Sequence, residues 1–189
     1  LLSNIFLHVL DAVWVKRHAH LGVLVRYADD LVVVCETHAA CEEAEARVRS
    51  ILERLGLTLH PEKTRRVDLS RGRQGFDFLG CHLRKRMSGR IWEKEGRRVY
   101  FLQRWPSQRS MQRVQQRVKE RTGRHRNGVK DARILVHDLN PILRGWVNYF
   151  AIGYSNRCFQ FVKRWVELKV RRHLLRARKR RGLGWERWS

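Results

Sequence analysis

No apolar run in this 189-residue chain approaches the length needed to cross a bilayer, so a membrane-spanning helix is not expected. The opening residues also lack the basic, apolar and small-residue order of an export signal. Cysteine is sparse: Cys35, Cys41, Cys81 and Cys158 show no paired short spacing, which argues against a disulfide framework or a zinc knuckle and for reduced, buried thiols. His8, His18, His20, His60, His82 and His137 form no ligand pattern either. Proline occurs three times, no segment is of low complexity, and no internal repeat is present. The scarcity with most consequence is of negative charge. Against 41 Lys and Arg stand 18 Asp and Glu, a net +23, which is too large for an ordinary solvated surface and implies a polyanionic partner.

The surplus is unevenly placed. Residues 1–83 hold 11 basic and 11 acidic residues, whereas residues 84–189 hold 30 and 7, so the whole excess lies in the second part. We therefore expect three segments: 1–83 as an α+β layer with a mostly antiparallel sheet, 84–105 as a connecting β-hairpin, and 106–189 as a basic helical bundle. In the first, Ser3 caps a helix whose stripe is Ile5, Phe6, Val9, Leu10, Val13 and Trp14. Thr37 caps a second, with Cys41, Ala44, Val48, Ile51, Leu52 and Leu55 inward and Gly56 past its end. Leu57–Leu59, Arg65–Leu69 and Phe76–Leu83 read as strands. Within 84–102 the turn falls at Ser88-Gly89 or Glu95-Gly96, with Ile91, Val99, Tyr100 and Phe101 in strands. Beyond Pro106 the period becomes helical: Ser107 caps one helix, Asp131–His137 forms a short one, Asn140-Pro141 starts another, and a last begins near Asn156. The tail Arg176–Arg181 is almost wholly cationic.

The stretch Val23–Val34 carries the clearest chemical signal. Two β-branched runs flank Arg26-Tyr27-Ala28-Asp29-Asp30, which reads as a hairpin with two adjacent carboxylates at its turn. Like charges side by side repel, and a hard divalent cation such as Mg²⁺ resolves the repulsion by taking carboxylate oxygens while leaving room for phosphates. A solvated acidic turn is the plain alternative for the dipeptide alone.

Tyr27-Ala28-Asp29-Asp30 resembles the catalytic turn of reverse transcriptases, and the resemblance extends along the chain. Leu1–His8 is similar to the segment that precedes this hairpin in the enzymes of group II introns. Leu57–Thr64 is similar to their next block, and Phe76-Asp77-Phe78-Leu79-Gly80 to the primer-grip block. Leu139–Phe150, Leu-Asn-Pro-Ile-Leu-Arg-Gly-Trp-Val-Asn-Tyr-Phe, resembles the signature of the maturase domain, or thumb. The family indicated is the group II intron reverse transcriptase/maturase, and it implies an α+β partial palm followed by a three-helix thumb.

The resemblance implies further that Asp29 is a ligand of two catalytic Mg²⁺ ions and Asp30 a weaker ligand or electrostatic support. Lys63 would lie near the leaving phosphate as a general acid, the alternative being a solvated lysine. Phe76, Phe78, Leu79 and Gly80 would form the primer grip. Helical spacing puts Trp146 and Phe150 in the core. RNA contact falls to Arg109, Arg113, Arg117, Arg144, Asn148, Lys163, Arg164, Lys169 and Arg171. The partners implied are intron RNA, an RNA template with a DNA primer, and deoxynucleotides, in a bacterial-type cytoplasm at the nucleoid.

The family's other catalytic aspartate sits on an upstream strand, and Asp11, in a predicted helix, does not replace it. With Leu1-Leu2 at its start in place of Met, the sequence reads as a fragment, so the expectation is that this chain alone does not polymerise DNA. Two other functions stay open: a non-catalytic RNA-binding splicing factor with a vestigial Asp-Asp turn, and, more weakly, a retron-type reverse transcriptase, against which the Leu139–Phe150 signature argues.

Overall fold

The computed structural model describes residues 2–179 and divides into two compact units, Leu1–Val67 and Asp68–Ser189. Each unit combines helices with antiparallel strands, and the chain is α+β, as expected. Leu1 of the first motif and Arg180 and Arg181 of the cationic tail lie outside the described residues.

The first unit opens with helix α1 (Leu2–Val13), which starts before Ser3, so that Ser3 lies inside the helix rather than at the cap position expected for it. A wide π turn (Trp14–His18) and a 3₁₀ turn (Ala19–Leu21) follow. Strands β1 (Val23–Tyr27) and β2 (Asp30–Val34) then pair antiparallel, from Val23↔Val34 to Tyr27↔Asp30. Helix α2 (His38–Arg54) begins as the sequence predicts, with the Thr37 hydroxyl accepting from the Ala40 N–H, and Gly56 beyond its end takes φ +71. Leu7, Leu10, Trp14, Leu21, Ala44, Val48, Ile51 and Leu52 form the core, and Leu24, Leu31 and Val33 of the hairpin pack on it. The alternate residues Val23, Val25, Tyr27 and Val34 stay exposed on the outer face.

Leu57–Leu59 and Arg65–Leu69, expected as strands, form none. Pro61 has no N–H to donate to a ladder, and the segment is held to α2 by side chains instead: Arg66 donates to Glu45 at 2.8 Å and to Glu42 at 2.6 Å.

In the second unit, β3 (Gly75–Phe78), β4 (Cys81–Met87) and β5 (Tyr100–Pro106) make an antiparallel sheet in that order. The single strand expected over Phe76–Leu83 is therefore two strands with a turn at Leu79-Gly80, where both residues take positive φ (48° and 75°) as a two-residue type I′ hairpin requires. The hairpin expected over 84–102 is also corrected. Strands β4 and β5 pair, but helix α3 (Gly89–Glu95) stands between them and Ile91 is helical. Both proposed turns prove to be its ends: the Ser88 hydroxyl accepts from the Ile91 N–H, and Gly96 closes the helix in the left-handed conformation.

Helices α4 (Gln108–Thr122), α5 (Ala132–Phe150) and α6 (Asn156–Ala177) form the bundle, with Val114, Val118, Leu135, Leu139, Val162 and Val166 at its centre. Asn140-Pro141 is not a helix start. Helix α5 is capped by Asp131 and runs through Pro141, because Leu135 and Leu139 lie on one buried stripe that continuous helix preserves. The ladder bond lost at Pro141 leaves the carbonyl of exposed His137 to solvent.

Candidate functional site

The acidic turn is built by its hairpin. Ala28 and Asp29 are the two turn residues and Asp30 opens β2 opposite Tyr27, so only one of the two expected turn carboxylates belongs to the turn itself. Ala28 takes φ +53, the positive φ that primed hairpin turns need at their first central residue. A residue with a Cβ is strained there, and such strain persists only when the surroundings fix the backbone.

Arg26 fixes it. Its guanidinium donates to the Ala28 carbonyl at 2.8 Å, to Asn4 at 3.2 Å, and to both carboxylate oxygens of Asp11 at 2.9 and 2.5 Å. One planar fork thus ties the turn to α1. The arginine side chain is 11% exposed and that of Asp11 32%, so the pair is partly shielded from water. Sequence reading gives neither Arg26 nor Asp11 a part in the site. The available signal was a basic residue inside an apolar strand, which needs a partner wherever it is buried.

The Arg26 hydrogen bond holds the Asp11 carboxyl below its ordinary value of 3.8, against the opposing effect of burial. A carboxyl whose pKa falls on folding contributes stability that is complete above its unfolded pKa and is lost as the pH falls through the folded value. The first unit is therefore expected to lose stability below pH 3.8, and Asp11→Asn to make acid unfolding, followed by exchange of the β1–β2 amides, less steep there. Unchanged acid unfolding in that variant would show that the pair does not hold the turn.

Asp29 and Asp30 are both exposed. Among the described residues no group of three His, Cys, Asp or Glu side chains is placed to hold a metal, and Asp11 is committed to Arg26. Two adjacent carboxylates on a rigid tip fit one side of a hard-cation site, since oxygen donors are what such ions take and Mg²⁺ accepts only one or two carboxylates from a protein. Lys63 is exposed in the turn after Pro61, its N–H donating to the His60 carbonyl at 3.1 Å.

In the second unit the expected primer-grip residues converge on one turn. Phe76 and Phe78 lie half-buried on one face of β3, and Leu79 and Gly80 are the turn. Three groups that sequence reading missed anchor it. The Gly80 carbonyl accepts from the Ser107 N–H at 2.9 Å and the Ser110 hydroxyl at 2.8 Å, and the Leu79 carbonyl from the Tyr149 hydroxyl at 2.9 Å. Ser107 thus caps α4 and holds the turn at once.

Of the residues expected to touch RNA, Arg109, Arg113, Arg117, Arg144, Asn148, Lys163 and Arg164 are exposed, and Lys169 and Arg171 half-buried, Lys169 lying over the Trp165 ring at 5.2 Å. Phe150 is buried and Trp146 half-buried against the bundle core, their rings 5.2 Å apart. His173, wholly buried, has its ring nitrogens 3.0 Å from the Val129 carbonyl and 3.3 Å from that of Thr122, joining α6 to the loop after α4. The four cysteines are free, and burial pushes the thiols of Cys35, Cys81 and Cys158 up. Among the described residues no helix is long and apolar enough to cross a membrane.

Comparison with known families divides the chain in two. Residues 1–83 match the family described as reverse transcriptase (RNA-dependent DNA polymerase), and residues 111–189 the group II intron, maturase-specific domain. No individual curated protein matches. The matches span 83 and 79 residues, together 162 of 189, and they follow each other in the order that the Asp-Asp hairpin and the basic bundle occupy in the fold. A reverse-transcriptase hairpin followed by a maturase bundle on one polypeptide places this chain in the group II intron reverse transcriptase/maturase family.

Proposed function

We propose that this chain carries the late palm and the thumb of an RNA-directed DNA polymerase that also acts as the maturase of its intron, in splicing and mobility. The observation that carries the reading is the Arg26-braced turn presenting Asp29 and Asp30, in a chain whose net +23 arises wholly from residues 84–189. Reverse transcriptases work with divalent metal ions. Here the ion would be Mg²⁺, which Asp29 would hold with Asp30 in support and with an aspartate from outside residues 1–189 completing the site. When bound, it supplies the Lewis acidity that activates a primer 3′-hydroxyl and stabilises the leaving pyrophosphate. The chain's own part is positional. Arg26 holds the carbonyl beside Asp29, and a strained, braced turn keeps the carboxylates from relaxing between turnovers. The Leu79-Gly80 turn, with Phe76 and Phe78, seats the primer end. Lys63 stands as a proton donor to the leaving phosphate. The arginines of α4, α5 and α6 neutralise RNA phosphates without reading sequence. The partners are intron RNA, a primed RNA template and deoxynucleotides, which puts the protein in the cytoplasm at the nucleoid.

Two measurements on the 189-residue polypeptide test this together. It is expected to bind structured RNA with an affinity that falls about tenfold or more between low and physiological salt, because each phosphate contact releases counterions. It is expected to extend no primer, with or without Mg²⁺, because its own residues supply two carboxylates. Flat salt dependence would remove the phosphate-gripping role, and metal-dependent extension that Asp29→Ala abolishes would remove the need for an outside ligand.

A further inference from the structure

The two family matches end at residue 83 and resume at 111, and neither accounts for the segment between. That segment is not a plain connection. Strand β4, helix α3 and strand β5 form an arm in which residues 84–105 hold eight Lys or Arg against two Glu, with Trp92, Tyr100, Phe101 and Trp105 among them. Pairing puts His82 opposite Trp105 and Arg86 opposite Phe101, so these four side chains share one face of the sheet. The Arg86 guanidinium carbon lies 5.1 Å from the Trp105 ring centre, and the His82 ring 5.0 Å from it. Arg98 lies 5.5 Å from the centre of Trp92 on α3. Phe101 is 46% exposed and Trp92 43%.

We propose that this arm binds unpaired RNA, with Phe101 and Trp92 as platforms for bases and Arg86 and Arg98 as phosphate contacts. Among the described residues neither arginine has a carboxylate within salt-bridge distance, and a guanidinium lying over an indole keeps its N–H edge for an anion. The arm's positive balance favours a nucleic acid over a protein surface of ordinary charge. Exposed aromatic residues favour unpaired bases, since a duplex keeps its base faces stacked on one another. The inference rests on the proposed RNA-binding function and adds a site outside the helical bundle that provides phosphate contacts.

The test uses the 189-residue chain and two labelled probes, an oligouridylate and an RNA duplex of equal length. Trp92→Ala/Phe101→Ala is expected to weaken oligouridylate binding about tenfold or more, since stacking on an aromatic ring is worth that per base. Duplex affinity, set by phosphate contacts, is expected to change less than about twofold. Equal losses on both probes would overturn the stacking role. Undiminished oligouridylate binding would overturn the inference and leave the exposed rings to a protein partner. Photocrosslinking of thiouridine-substituted oligouridylate to the unmutated chain does not depend on any variant's folding. Adducts are expected within residues 84–105, and adducts confined to the bundle would also overturn the inference. If the unmutated chain binds neither probe, the RNA-binding function itself fails, which is a distinct result.

Discussion

Replacing Gly80 by alanine is expected to lower the thermal stability of the second unit by on the order of 5–15 °C, the shift that about 1.5–2.5 kcal/mol produces in a domain of this size. Gly80 takes φ +75, where an L-residue costs about 1 kcal/mol more than glycine. A Cβ there would also stand 2.9 Å from the Ser110 hydroxyl oxygen. Ser110 is 7% exposed and its hydroxyl donates to the Gly80 carbonyl, so it moves only by giving up that bond, at about 0.5–1.5 kcal/mol, the carbonyl keeping the Ser107 N–H. The second substitution Ser110→Ala removes both the clash and the bond. The double variant is therefore expected to be less destabilised than the sum of the two single ones, since residues sharing one contact do not add. Melting followed by circular dichroism reads the effect. An unshifted melting temperature in Gly80→Ala would mean that the turn does not adopt the left-handed pair, and with it the seating proposed for a primer end would lose its geometric basis.

That turn also shows where sequence reading stops. The motif Phe76–Gly80 was legible as an element, yet its local pattern of alternating apolar residues reads as one strand, because the break depends on partners from elsewhere in the chain. Ser107, Ser110 and Tyr149 reach back to the Leu79 and Gly80 carbonyls across tens of residues, and no short window contains them. The same holds for Arg26, whose partner Asp11 lies on another element. Pro141 fails in the opposite direction. Its local meaning, a helix start after Asn140, is overridden by the burial of Leu135 and Leu139 on a shared stripe. What was legible from residues alone was local: the Thr37 and Ser107 caps, the Gly56 stop, and the Val23–Val34 hairpin with its carboxylates.

Trp14→Ala is expected to remove most of the stability of the first unit and to expose the β1–β2 amides to exchange. Trp14 is 2% exposed at the centre of the first core. Deleting a buried aromatic ring of this kind costs about 3–5 kcal/mol in transfer and cavity terms. The 67 residues of the unit have about 3–10 kcal/mol to lose, at the usual stability per residue. The indole has a second function that volume does not capture: its N–H donates to the Gly22 carbonyl at 3.0 Å. Gly22 sits where β1 begins, so close to the end of β2 that a Cβ would stand 2.3 Å from the Val34 carbonyl oxygen. Trp14 thus fixes the open end of the hairpin while Arg26 fixes its tip, and the position of Asp29 depends on both. Trp14→Phe separates the two roles, because it keeps most of the ring and loses the donor. It is expected to cost about 1–3 kcal/mol, the penalty for leaving a carbonyl unpaired, and to release the amides near Gly22 first. If Trp14→Ala left the hairpin amides as protected as before, the core beneath the strands would not be what holds the carboxylates in place.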